Sequence, residues 1–195
     1  MRSRARGAPG GDRDRGTGLI GVLVSGEGTN LQALIDAGLP IAAVASNRPH
    51  ARALERAAAS HIPARVFELD RFSDREARDR EMADWLLLRG VELVVLAGYM
   101  HLLTPSFLDR FPDRIVNVHP SLLPAFPGAR AIDDALSAGV ETTGVTVHYV
   151  DEGLDTGSVI RQERVAVEPR ATLVERIHAV EHRLLPEVVH ELCAR

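Results

Sequence analysis

Apolar residues gather along this chain in short runs separated by longer stretches of mixed character. LIGVLVS (19–25), PIAAVASN (40–47), VELVVLAG (91–98) and RIVNVH (114–119) read as strands buried on both faces, and PARVFE (63–68) as a short one between them. LQALIDAG and ARALERAAASH carry helical spacing. A longer helix is predicted over roughly 73–89, polar in its first half and apolar at its end, and TPSFLDRF supplies one or two turns more. Strands alternating with helices in this way predict a parallel sheet covered on both faces. Past residue 130 the rhythm changes. IDDALSAG is a short helix, TGVTVHYV and GSVIRQERVAV alternate with period two around a turn at DEGLDTG, and a long helix with Pro186 as a place for a kink closes the chain. The expected fold class is α/β: a mostly parallel twisted sheet with helices on both faces and an antiparallel element near the C-terminal half. No repeat or linker interrupts residues 18–195, which read as a single domain.

In open α/β sheets ligands bind beyond the carboxyl ends of the strands. That rule gathers three segments at one edge: GEGTN after the first strand, GYMHLL after the fourth and NVHPSLLP after the fifth. In SGEGTN, Gly26 and Gly28 permit a tight turn, and the free N–H groups of the helix start beyond suit a phosphate. A tight turn with no ligand is the alternative. A dinucleotide site fits less well, because Leu31 stands where a small residue is needed and Asn47 where an acidic one is.

Asn117 and His119 are two residues apart, so on a strand their side chains share a face. An amide donor beside an imidazole suits an acyl group whose oxygen becomes negative in a tetrahedral intermediate. Pro120, Pro124 and Pro127 restrict the loop beyond the pair. Asp155, in LDTGS, is either an ordinary turn residue or a carboxylate that orients His119 and favours its imidazolium. The aspartic-protease reading of Asp-Thr-Gly fails, since that fold is all β and this chain is mostly βα units.

Composition narrows the chemistry. All 23 basic residues are arginine, which excludes Schiff-base catalysis, a Walker-A loop and a Ser-Lys dyad. Cys193 is the only cysteine, so cysteine-based zinc sites and redox pairs are out and a reducing cytoplasm fits. The net charge of −4 gives no case for nucleic acid or an anionic membrane, and no apolar run approaches the roughly 18 residues of a membrane span. Residues 1–17 carry +3 with almost nothing apolar and read as a disordered basic tail, which leaves the body at about −7.

SGEGTNLQALIDA, ASN, VVLAGYM, NVHPSLLPAFPG and LDTGSVI, in this order from about residue 19 to the end, resemble the folate-dependent formyltransferase family. GEGTNLQALIDA points to the branch acting on 5-phosphoribosylglycinamide. The resemblance implies a Rossmann-like formyltransferase fold and formyl transfer from 10-formyltetrahydrofolate to the ribonucleotide amine, in the cytoplasm, with no metal. It implies that Asn117 holds the formyl oxygen, that His119 is the proton donor, and that Asp155 favours the imidazolium and orders a relay water. Gly28, Thr29 and Asn30 would bind the substrate phosphate through their backbone, and Glu181 the ribonucleotide. Arg75, Met100, His101, Leu102 and Leu103 would line the folate site with Asn117, Met100 to Leu103 largely through backbone.

Two positions depart from the family pattern. His101 stands where Arg or Lys is usual, which weakens attraction to folate's acidic tail, and His178 stands where a Gln often partners the ribonucleotide-binding Glu. Formyltetrahydrofolate deformylase is the nearest rival, but it usually has a ligand-binding domain ahead of the catalytic one. Methionyl-tRNA formyltransferase normally adds a C-terminal domain and basic surface. A non-catalytic nucleotide-binding module would tolerate loss of His119. The expected partners are small-molecule substrates, with a homodimer left open.

Overall fold

The computed structural model describes residues 18–194, so the tail expected over 1–17 lies outside the described residues. Seven strands, β1 (Ile20–Val24), β2 (Ile41–Ser46), β3 (Ala64–Val66), β4 (Leu93–Leu96), β5 (Ile115–His119), β6 (Thr142–Tyr149) and β7 (Val159–Ala166), pair into one sheet of order β3-β2-β1-β4-β5-β6-β7. The first five run parallel; β6 pairs antiparallel with β5, and β7 with β6. From β1 the chain winds outward to β3, then returns to place β4 on the other side of β1. The order therefore reverses between β1 and β4, and a crevice opens where their carboxyl ends diverge.

Alternation along the strands divides the interior. Val22, Val24, Val44, Val95, Val116 and Val118 face α1 (Thr29–Asp36), α2 (Arg52–Ala59) and α6 (Leu173–Cys193). Leu23, Ala43, Ala45, Val94 and Leu96 face α3 (Arg75–Leu87) and α4 (Pro105–Leu108), where Met82, Leu86 and Phe107 are fully buried. Each such side chain contributes on the order of 2 kcal/mol by leaving water. The remaining helix, α5 (Ala131–Ser137), leads into β6. β7 is an edge strand, and Arg161, Glu163 and Arg164 along it guard against further pairing.

Local chemistry sets the boundaries. Gly28 has φ 70° and turns the chain directly into α1, two residues earlier than the apolar spacing predicts. A Cβ there would lie 2.6 Å from that of Ala53, so glycine is required twice over. Gly26 faces open space and has no such constraint. The Asp74 side chain caps α3 by accepting from the Ala77 N–H at 2.7 Å. The polar first half of α3 is not all solvated, since Arg78 and Asp79 are completely buried. Pro186 does not end α6, which continues through it to Cys193. Among the described residues no helix is long and apolar enough to cross a membrane.

Candidate active site

A cavity of about 500 Å³ opens at the carboxyl edge of the sheet, and the Gly26–Asn30 turn, the segment after β4, the end of β5 and the β6–β7 loop all contribute to its wall. Asn117 and His119 project from the same side of β5. Antiparallel pairing sets His148 opposite Asn117, and Thr146 opposite His119. Asp155 arrives from the β6–β7 loop with φ 55°, a left-handed conformation that Asp tolerates better than most residues.

These groups converge. His119 Nδ1 lies 3.4 Å from Asp155 Oδ2, and Asn117 Nδ2 lies 3.4 Å from Asp155 Oδ1. Asp155 Oδ2 is fixed by the Gly128 N–H at 2.8 Å. His119 is buried, and its Nε2 donates to the Phe126 carbonyl at 2.8 Å, so the proline-rich loop closes back over the ring. Nε2 is thus committed to the protein, while Nδ1 faces a carboxylate at a longer distance. Thr146 fastens the loop further, donating to the Ser121 carbonyl at 2.7 Å and accepting from the Leu123 N–H at 3.1 Å.

His148 is a site residue that the sequence reading missed. Its Nδ1 donates to the Tyr149 carbonyl at 2.8 Å, which leaves the Nε2 lone pair to accept from Asn117 Nδ2 at 3.1 Å. Burial lowers its pKa, with the Tyr149 carbonyl and Asp155 opposing, so the neutral ring that this contact requires is favoured. The only signal in sequence was a His on the inward face of a period-two strand.

The opposite end of the cavity belongs to α1 and α6. The N–H groups at the start of α1 have no acceptor within the helix, and Gly28, Thr29 and Asn30 line this end of the cavity. Asn30 Nδ2 donates to Glu181 Oε2 at 3.1 Å, while Asn30 Oδ1 is buried with no partner. Burial pushes the Glu181 carboxyl above its ordinary value, with the Asn30 bond opposing. His178 lies one turn before Glu181, its ring 6.1 Å from that of His182.

The third wall is residues 98–104. Met100 and Leu102 expose apolar surface, whereas Leu103 is buried. Part of this backbone is already engaged: the Met100 N–H donates to Ser25 Oγ at 2.9 Å, and Arg75 donates to the Leu102 carbonyl at 2.5 Å. Arg75 therefore braces the segment. His101 turns inward, its ring between Arg78 and Asn47.

An amide donor, a buried imidazole and a carboxylate at one end of a partly apolar cleft, with a helix start at the other, form an acyl-transfer arrangement. Residues 19–189 match the formyl transferase model, and the chain belongs to that family. Within it the chain falls with the phosphoribosylglycinamide formyltransferases. The enzyme of that name from Bacillus subtilis (strain 168) is 41% identical over 88% of this chain and 92% of its own. The crystal structure of phosphoribosylglycinamide formyltransferase from Bacillus halodurans superposes with a TM-score of 0.87 at 41% identity, covering 91% of this chain and 96% of that one. Glycinamide ribonucleotide transformylase 1 from Geobacillus kaustophilus superposes with 0.87 at 46% identity, covering 90% and 98%.

Proposed function

We propose that this chain transfers the formyl group of 10-formyltetrahydrofolate to the amine of 5-phosphoribosylglycinamide, a step of purine (IMP) biosynthesis, in the cytoplasm, with residues 18–195 acting as one catalytic domain. The observation that carries the reading is the meeting of Asn117, His119 and Asp155 between an anion-accepting helix start and an apolar wall. The ribonucleotide phosphate sits on the backbone of Gly28, Thr29 and Asn30, and its ribose on Glu181. The pterin sits against residues 100–103.

The substrate amine attacks the formyl carbon, and the carbonyl oxygen becomes an oxyanion. Asn117 turns an N–H from Asp155 to that oxygen; one such donor typically supplies about 3–4 kcal/mol to the transition state. His119 delivers its Nδ1 proton, since Nε2 is held by Phe126. As the carbon–N10 bond breaks, N10 takes the proton that His119 gives up, and the attacking nitrogen's proton passes through water ordered at Asp155 back to His119. The products are the N-formyl ribonucleotide and tetrahydrofolate, and protons balance.

The test mixes purified protein with 10-formyltetrahydrofolate, with and without 5-phosphoribosylglycinamide. Tetrahydrofolate formation that depends on the amine, with stoichiometric N-formyl product, is expected. Formate release independent of the amine would instead make the chain a deformylase.

A further inference from the structure

Beneath the wall formed by residues 98–104 lies a guanidinium with no exposure to solvent. Arg78 Nε and Nη2 donate to Asp79 Oδ1 at 2.9 and 2.6 Å, and both side chains are fully buried. Burying two ions carries a desolvation cost that mutual attraction seldom recovers in full. This pair also grips one segment at two places. Asp79 Oδ2 accepts from the Thr104 N–H at 2.8 Å, and Arg78 Nη1 lies 2.8 Å from His101 Nδ1. From the other side the Asn47 carboxamide spans from Ser25 Oγ at 2.6 Å to His101 Nε2 at 3.1 Å, and Ser25 Oγ accepts from the Met100 N–H. Met100, His101, Leu102 and Thr104 are thus each tied to the body of the protein.

We infer that Arg78 and Asp79, acting through His101, are positioning residues that fix segment 100–104 for the formyl donor, and that the clamp holds only while His101 is neutral. Arginine has only donors, so His101 Nδ1 carries the lone pair and Nε2 the proton. Asn47 Oδ1 accepts from the Ser25 hydroxyl and Asn47 Nδ2 faces Nε2, so an oxygen meets the Nε2 proton only with the carboxamide turned over, its amide then donating to Ser25 Oγ. Protonation of the ring would set N–H against N–H at Nδ1 and put two cations in contact. The charged groups around His101 are Arg75, Arg78 and Asp79 from α3 and Arg48 from the turn after β2, with the Tyr99 ring 5.9 Å away within its own segment. Three cations oppose the imidazolium, and the one carboxylate that favours it is already engaged by Arg78. Burial first, then Arg78, lower the His101 pKa in agreement with this geometry.

The consequence for donor affinity rests on the function proposed above; the order of the segment does not, and the experiment separates the two. His101→Gln offers Arg78 an oxygen and Asn47 an amide without titrating. Amide hydrogen exchange at Met100 and Thr104, expressed as protection relative to the intrinsic rate, is followed from pH 8 to 5.5 in both proteins, with the tetrahydrofolate dissociation constant measured alongside by calorimetry. In the unaltered protein protection is expected to fall at least tenfold, and binding to weaken in parallel, below the ordinary imidazole value of about 6.5. In His101→Gln both stay flat, which removes any contribution from His119 or His148. Protection that stays flat in the unaltered protein, or falls equally in the variant, overturns the clamp. If protection behaves as expected but tetrahydrofolate binds at no pH, the clamp stands and the donor reading has failed. Arg78→Met combined with Asp79→Leu strands no buried charge; Thr104 protection is expected to drop beyond any change in global stability, and unchanged protection would overturn the proposal.

Discussion

Asn117 faces His148 across the antiparallel pairing of β5 and β6, and its amide nitrogen lies 3.1 Å from the imidazole Nε2. Asp155 takes up the rest of the amide's donor capacity, with Asn117 Nδ2 at 3.4 Å from its Oδ1. His148 therefore decides which end of the Asn117 carboxamide points toward the reacting carbonyl. Substituting His148 by Leu should leave the sheet intact and allow the amide to turn. We expect kcat to fall about 10–100-fold with little change in KM for either substrate, because the lost interaction is one of orientation. Steady-state kinetics decide the point: a rise in KM alone would mean that His148 serves binding.

His119 sets Nδ1 beside the Asp155 carboxylate at the wall of the cavity. His119→Ala should retain ribonucleotide binding by calorimetry and lower turnover by about 10²–10⁴, the usual range for a general acid. Near-normal turnover would remove His119 from the mechanism.

Asp155 combines a left-handed backbone with a charge. Asn tolerates that backbone and can still accept from the Gly128 N–H, so Asp155→Asn isolates the charge. The thermal midpoint should move little while kcat falls by about 10²-fold or more. Equal activity in the two proteins would reduce Asp155 to a turn residue.

Glu181 is linked to stability through its buried carboxyl. Its folded pKa lies above the unfolded value, so as pH rises past about 4.5 the unfolded chain releases this proton while the folded chain keeps it. Stability contributed by this group is therefore present at low pH and lost as pH rises through the folded pKa. Glu181→Gln removes that loss. Denaturant melts should find it no less stable than the unaltered protein at pH 7, with the difference shrinking toward pH 4. Its ribonucleotide affinity should drop about 10–100-fold, as expected for losing a hydrogen bond to a charged acceptor.

Gly28 answers two constraints at once, a φ of 70° and the nearness of Ala53. Gly28→Ala should cost about 2–4 kcal/mol from left-handed strain and overpacking together. Urea titration measures the loss; a change below roughly 0.5 kcal/mol, the ordinary range of an unconstrained surface site, would mean that the turn relaxes freely.

Which of these features could be read from sequence depends on the range of the interaction behind each. Asn117 and His119 were legible because their relation is a property of one strand, two residues apart. The parallel half of the sheet was legible because buried strands are continuous apolar runs. His148 was not, since only the β5–β6 register, across 31 residues, brings it to Asn117. Arg78 and Asp79 read only as members of the polar first half of a helix, and the segment they hold, 98–104, lies more than twenty residues away. His101, expected as a weak attractor for an acidic tail, turns inward for the same reason.

The sheet keeps its two interiors apart, and each end of the cleft is upholstered by only one of them. Leu31 and Leu34 of α1 and the apolar stripe of α6 back the Glu181 end, whereas Met82 and Leu86 of α3, with Leu103, back the segment beyond β4. Injury to the first interior should blunt recognition of one reactant and spare the other, and injury to the second should do the reverse. Selectivity for the two reactants can drift separately during evolution, provided β5 between them keeps its register.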